Sequence, residues 1–335
     1  MNKEKNMGTT IRRSLRGQVV LVTGGAGFIG SHLADALLDL GAKQVIILDN
    51  LFIGTRDNLQ GALERGAILY VDDAEIMGSL EYIFDSHPIT TVFNCATKAL
   101  NYSFTNPANT FETNTRVAMN LLELQRKKRF DTLAHFSSSE VYGTALYEPI
   151  DEDHPRHPTT SYAAGKAAAD LAIEAYVRMF NLDAFIVRPF NNYGPRQNYQ
   201  GNFAAVIPQT VWRILEGMPP EIHGTGEQKR DFIYVHDTVA AALMLYDVLP
   251  RGQEVNISTN NCLPIGPLVE NIARMMRYEG LIARLPSRQS DVFFHSGSTD
   301  KLHSLIQFKI TPMDESLRAT IDWLKTRFDA RPARK

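Results

Sequence analysis

The sequence predicts an α/β protein, a doubly wound parallel sheet with a smaller mixed α/β lobe at its C-terminal end. Three observations predict it. A β-branched run breaks into glycines and restarts as a helix: Val19-Val20-Leu21-Val22-Thr23-Gly24-Gly25-Ala26-Gly27-Phe28-Ile29-Gly30. Apolar runs then alternate with amphipathic helices through the first two thirds of the chain, the pattern of a parallel sheet covered on both faces. After Arg188-Pro189 the pattern loosens into short strands and short helices rich in Pro, Gly and Asn.

The elements follow in order. Strand and helix are expected at 18–23 and 29–40, then at 44–49 as strand, 67–71 as strand, 75–86 as helix and 91–95 as strand. A long helix near 107–128 opens with Asn106 as cap and Pro107 in its first turn. A strand at 131–136, a helix near 160–180 and a strand at 183–188 complete the larger layer. Residues 1–17 are expected as a flexible leader, 18–190 as a dinucleotide-binding domain to which later segments return, and 191–330 mainly as the substrate-binding lobe. In open α/β sheets the ligand crevice lies at the C-terminal ends of the strands.

The glycines Gly24, Gly27 and Gly30 fall on a G-x-x-G-x-x-G spacing. The first allows a tight turn, the second lets backbone approach a pyrophosphate, and the third lets helix and strand pack closely. Phosphates would sit on the N–H groups at the helix start, beside Phe28 and Ile29. Asp49 ends the next apolar run about twenty residues on, placed to accept hydrogen bonds from both adenosine ribose hydroxyls. A carboxylate there repels a 2′-phosphate, which favours NAD over NADP. Asn50, the pair Asp72 and Asp73, and Lys98 complete the candidate cofactor contacts. Together these features specify a Rossmann-type fold.

Composition excludes several function classes. The formal net charge is −2 over 335 residues, so no nucleic-acid partner is implied. No run approaches the roughly 20 apolar residues of a membrane-spanning helix. The basic cluster Arg12, Arg13 and Arg16 lies in a polar leader without the apolar core of a signal peptide. Cys95 and Cys262 are far apart, and Cys95, at a strand end, is expected as a buried thiol. This fits a reducing, cytoplasmic setting.

Tyr162 and Lys166 stand four apart, on one helix face, in Tyr162-Ala163-Ala164-Gly165-Lys166. A lysine ammonium there lowers the phenol pKa by favouring the phenolate. The preceding strand ends in Phe136-Ser137-Ser138-Ser139-Glu140-Val141-Tyr142-Gly143. Such a serine triplet either satisfies local backbone or meets Tyr162 over a nicotinamide ring.

With these residues the chain resembles the extended short-chain dehydrogenase/reductases that act on nucleotide sugars: epimerases, 4,6-dehydratases and decarboxylases. The resemblance runs from about Gln18 to about Phe328 and includes Arg188-Pro189-Phe190-Asn191-Asn192-Tyr193-Gly194-Pro195 and Arg230-Asp231-Phe232-Ile233-Tyr234-Val235-His236-Asp237. It implies that Tyr162 is the redox base, that Lys166 binds the nicotinamide ribose and that Ser138 hydrogen-bonds the reacting oxygen. Asn192 and Arg230 would hold the substrate diphosphate with Arg288 as a second arginine, whose planar fork can pair two oxygens at once. Tyr102, Ser103, Asn191 and Arg196 are further candidate substrate contacts. Without the family context, Arg230 would read as an ion pair with Asp231 or Asp237.

Two departures stand out. The segment Asn94-Cys95-Ala96-Thr97-Lys98-Ala99-Leu100-Asn101-Tyr102-Ser103 is about one residue shorter than the family's H-L-A-A form and begins with Asn rather than His. Ser139-Glu140 follows Ser138 where dTDP-glucose 4,6-dehydratases have Asp-Glu. That pair looks more like GDP-mannose dehydratases and the GDP-sugar dehydratases of legionaminic acid synthesis. Simple 4-epimerases usually lack the glutamate.

The expected activity is therefore an NAD-dependent nucleotide-sugar 4,6-dehydratase, with Ser138, Ser139, Glu140, Tyr162 and Lys166 as catalytic candidates. A 4-epimerase is the alternative. A decarboxylase also carries the glutamate, but Asp231 counts against it, and a non-catalytic NAD sensor is opposed by the intact Tyr162 and Lys166. The nucleotide base would be read by the loops around 195–225. In the family the helices near 107–128 and 160–180 pair across a two-fold axis, which implies a homodimer. Met119, Leu122, Ala168, Leu171, Ala172 and Ala175 are the apolar positions expected beyond what the sheet needs.

Overall fold

The computed structural model describes residues 13–287 and 296–331. Its larger layer is a parallel seven-stranded sheet ordered β3-β2-β1-β4-β5-β6-β10. The elements feeding it alternate along the chain: β1 (Val19–Thr23), α1 (Phe28–Asp39), β2 (Gln44–Leu48), α2 (Gln60–Glu64), β3 (Ile68–Tyr70), α3 (Met77–Ser86), β4 (Thr91–Asn94), α4 (Pro107–Arg126), β5 (Thr132–Phe136), α5 (Ser161–Phe180) and β6 (Asp183–Pro189). The rest of the chain adds β7 (Asn191–Tyr193), α6 (Val206–Leu215), β8 (Glu221–His223), β9 (Lys229–Tyr234), α7 (Val235–Val248), β10 (Glu254–Ile257), β11 (Cys262–Pro264), α8 (Ile265–Met275), β12 (Ala283–Leu285), α9 (Asp300–Leu305) and α10 (Met313–Asp329).

The strand pattern explains the layering. Successive strand side chains point to opposite faces. Val20 and Val22 therefore pack with α1 and α7, while Val19 and Leu21 pack with α3, α4 and α5. Such strands are covered on both faces and mostly apolar, and every residue of β1 and β5 is buried, the polar Thr23, Thr132 and His135 included. As the sequence predicts, Asn106 caps α4, accepting from the Asn109 N–H at 3.2 Å, with Pro107 at the first helical position.

The chain order reverses between β1 and β4. The Thr23↔Asn94 register sets the two strand ends side by side, opening the crevice there. A smaller lobe covers it, built from the sheets β11-β9-β7 and β12-β8 and from α6, α8 and α10 packed around Ile207, Val211, Leu268, Ile272, Leu317 and Ile321. The lobes are interleaved in sequence, because β10 returns to pair with β6.

Of the expected leader, residues 13–17 are described, and they make long-range contacts. Arg13 donates to Asp183 at 2.8 Å through Nε and to the carbonyls of Tyr246 and Leu249 at 2.8 Å each, and Leu15 is buried in the core. Residues 13–17 are therefore tied down through partners far away in sequence. Arg12 lies outside the described residues. Both cysteines are free thiols. Among the described residues no helix is long and apolar enough to cross a membrane.

Candidate active site

The crevice is a cleft of about 570 Å³ walled by both lobes. Its floor is the glycine turn. Gly24 has φ +68°, and a Cβ there would sit 2.6 Å from the Ala96 nitrogen. A Cβ on Gly30 would run into the Gly24 carbonyl oxygen, which is why strand and helix can close only on glycine. No side chain caps α1, and Gly27, Phe28, Ile29 and Gly30 line the cleft.

Asp49 is buried at the end of β2. One carboxylate oxygen accepts from Ala26 N at 2.9 Å and the other from Leu51 N at 2.8 Å. Burial raises its pKa, and these backbone donors oppose the rise. The carboxylate is thereby oriented, with lone pairs left for two vicinal hydroxyls. Asn50 donates to Asp73 at 2.8 Å, and both residues line the cleft with Asp72 and Lys98. The Lys98 ammonium lies 4.2 Å from the Phe52 ring centre.

The other wall joins the end of β5 to the start of α5. Ser137, Ser138, Ser139, Glu140, Tyr162 and Lys166 all line the cleft. Thr160 caps α5 by accepting from Ala163 N at 3.1 Å. The Tyr162 hydroxyl is pushed up to about 12, first by burial and also by the Glu140 and Asp170 charges. Hydrogen bonds to Ser138 and Thr97 work against that rise. The net direction is therefore upward, because burial dominates. The Lys166 ammonium donates to the Phe136 carbonyl at 2.7 Å, and burial brings it down to about 8. The serines also serve the backbone and core: Ser138 Oγ accepts from Glu140 N at 3.2 Å, and Ser137 Oγ donates to Asp170 at 2.8 Å. Glu140 is half-buried.

Thr97 and Asn114 escape the sequence reading. Thr97 donates to Asn114 Oδ1 at 2.9 Å, and Asn114 also accepts from Lys98 N at 2.9 Å. The unusual segment after β4 was the signal, but only the fold brings α4 under it.

The wall toward the smaller lobe carries Asn191, Asn192 and Arg230, the expected substrate contacts, with Gln209, Glu221 and His223. Asn192 is fixed between Phe190 O, to which it donates at 3.0 Å, and Thr238, from which it accepts at 2.6 Å. Asp231 accepts from Thr259 and Gly297, and Asp237 from Thr311.

Three expected substrate contacts lie outside this lining. Ser103 Oγ accepts from Tyr162 N at 3.1 Å and so caps α5. Tyr102 packs on Phe52, with ring centres 5.0 Å apart. Arg196 pairs with Asp35 on α1 at 2.7 Å, where its positive φ of 66° turns it. Arg288 lies outside the described residues.

A family model described as the NAD dependent epimerase/dehydratase family matches residues 20–258. The chain belongs to this family. Its cofactor is NAD, and the side-chain-free approach at Gly24 and Gly27 with the oriented Asp49 carboxylate fits a dinucleotide. Members similar to it carry different activities. A Methanocaldococcus jannaschii protein, provisionally a UDP-glucose 4-epimerase, is 31% identical over 92% of this chain and 98% of its own. The UDP-glucose 4-epimerase of Thermotoga maritima, solved with UDP-glucose, has a TM-score of 0.88 at 30% identity, covering 92% of this chain and 99% of its own. The dTDP-glucose 4,6-dehydratase DesIV of Streptomyces venezuelae, solved with NAD, has a TM-score of 0.86 at 26% identity, covering 92% and 97%. The chain is thus a nucleotide-sugar epimerase/dehydratase family enzyme.

Proposed function

We propose that the chain is an NAD-dependent nucleotide-sugar 4,6-dehydratase. One observation carries the reading: Glu140 presents a half-buried carboxylate on the cleft wall, close enough to Tyr162 for its charge to act on the phenol. Bound NAD would supply the redox chemistry, as acceptor of the hydride from C4 of the sugar and its donor to C6. Tyr162, acting as the phenolate when hydride leaves C4, takes the proton of the 4-hydroxyl, Ser138 holds the same oxygen, and Lys166 orients the nicotinamide ribose. Asn192 and Arg230 hold the diphosphate. The C4 ketone acidifies the C5 proton. Glu140 removes that proton and returns one to the departing 6-hydroxyl, which leaves as water, and C5 is reprotonated from solvent as hydride arrives at C6. A carboxyl half-withdrawn from water suits both tasks.

A 4-epimerase is the second reading. Ser139 favours it, since a serine cannot act as a second acid, and epimerisation needs no group beyond Tyr162, Ser138 and Lys166.

Incubation with UDP-, GDP-, TDP- and CDP-sugars, followed by mass spectrometry, tests the choice. A 4-keto-6-deoxy product lighter by one water is expected. A product of unchanged mass selects the epimerase.

A further inference from the structure

Beneath the catalytic pair lies a charge that the proposed mechanism does not use. Asp170 stands one helical turn beyond Lys166 on α5 and is fully buried. Its Oδ2 accepts from Ser137 Oγ at 2.8 Å and from the Arg188 guanidinium at 3.0 Å and 2.9 Å. Its Oδ1 faces His135 Nε2 at 3.9 Å, and neither atom has a hydrogen-bond partner among the described residues. His135 and Ser137 flank Phe136, whose carbonyl anchors the Lys166 ammonium. The carboxylate therefore touches or faces both neighbours of the lysine's anchor.

The charges around it form a short inventory. From α5 come Tyr162 and Lys166, from β5 His135, from the segment after β4 Cys95, from β6 Arg188, and from the turn after β5 Glu140 and Tyr142. Burial pushes His135 well down, so it is neutral. Burial pushes the Cys95 thiol and the Tyr142 and Tyr162 phenols up to about 12 each, so these are neutral too. Arg188 is shared with Glu254, which in turn meets Arg156 at 2.8 Å. Asp170 is the first of the charges that raise Lys166 against the effect of burial; burial pushes the Asp170 carboxyl itself up, and the Arg188 guanidinium and the Ser137 hydroxyl bonded to it oppose that rise.

We propose that Asp170 is the positioning residue of the Tyr162–Lys166 pair, fixing the end of β5 to α5 and supplying the negative charge that keeps the buried Lys166 an ammonium. The proposal rests on Lys166 lying against NAD, as read above. It assigns a task to the third residue of a Tyr162, Lys166, Asp170 row spaced four apart on one helix face.

The test is NAD affinity of the apoprotein between about pH 6 and 10, read by fluorescence titration, with Lys166→Met to assign the break. In the wild type a break near 8 is expected, absent in Lys166→Met. Asp170→Asn keeps the shape and removes the charge, so the break should move down by about one unit or more. Ser137→Ala loses one hydrogen bond but no charge and should leave the break in place. A folded Asp170→Asn protein with the wild-type break overturns the proposal. So does Ser137→Ala moving the break equally far, because the effect would then be one of packing. Where Asp170→Asn does not fold, Glu254→Gln serves: it leaves more of the Arg188 charge uncompensated, and a break that stays put overturns the proposal. Failure of the functional reading looks different, as a wild type that binds no NAD or binds it with no break assignable to Lys166, and it takes the proposal down with it.

Discussion

The two walls of the cleft are made of different materials. The cofactor wall is mostly backbone: a glycine turn at the end of β1, and a carboxylate pinned by two backbone N–H groups. The proposed substrate wall is mostly side chains on short strands and loops of the smaller lobe, such as Asn192, Gln209, His223 and Arg230. A backbone wall tolerates few sequences, because a methyl group at Gly24 or Gly30 collides with main chain. A side-chain wall can be repainted without moving a strand. One family can therefore hold the cofactor constant and vary the sugar.

Substitutions at the junction of the two walls should produce the largest effects. Glu140→Gln is expected to abolish the dehydrated product while leaving oxidation at C4 intact, so that substrate raises the NADH absorption band. Tyr162→Phe should prevent the band from rising at all. Loss of a positioned acid or base costs about 10²–10⁴-fold in rate. Turnover of Glu140→Gln within a few-fold of wild type would make the glutamate structural and favour the epimerase.

On the cofactor wall, Asp49→Ala should weaken NAD about tenfold to a hundredfold, from the loss of charge-assisted hydrogen bonds, as measured by calorimetry. Equal or tighter binding of NADP by the wild type would undo that assignment. On the substrate wall, Arg230→Ala should raise KM by a similar factor, whereas Arg196→Ala, spent on Asp35, should leave KM near wild type and cost at most about 1 kcal/mol of stability. If the two arginines behave alike, the contrast drawn between the walls fails at that point.

The smallest catalytic effect is expected away from both walls. We propose a homodimer through α4 and α5, whose outward residues Phe111, Leu171 and Met179 are 40%, 57% and 69% exposed. Leu122, one of the apolar positions singled out from sequence, is instead spent in the core. Light scattering should give the mass of two chains, and a monomer at micromolar concentration would refute the pairing.

What the sequence discloses follows the same division. The glycine spacing, Asp49 and the Tyr162–Lys166 pair were legible because each constraint acts within one strand, turn or helix. Thr97 and Asn114 were not, since they meet only when α4 packs beneath the segment after β4. The scaffold contacts of Ser103 and Arg196 were hidden for a related reason: a polar residue near a cleft can face the ligand or brace the scaffold, and only tertiary contacts decide. The leader hid its anchor, because the Arg13 partner Asp183 arrives only after five strands have been laid down.

The return of β10 to the edge of the large sheet has a consequence for how the molecule can be divided. A fragment stopped after Pro189 would contain the glycine turn, the acid and the Tyr–Lys pair, but β6 would end as a bare edge. That edge holds Ile186 and Val187, and it would also lose Glu254, which helps to balance Arg188. Unpaired apolar edges seek other chains. The two lobes are therefore not modules to be exchanged by cutting at their border. They are stitched together, and a recombination that replaces the smaller lobe must carry β10 with it or leave the recipient sheet unfinished.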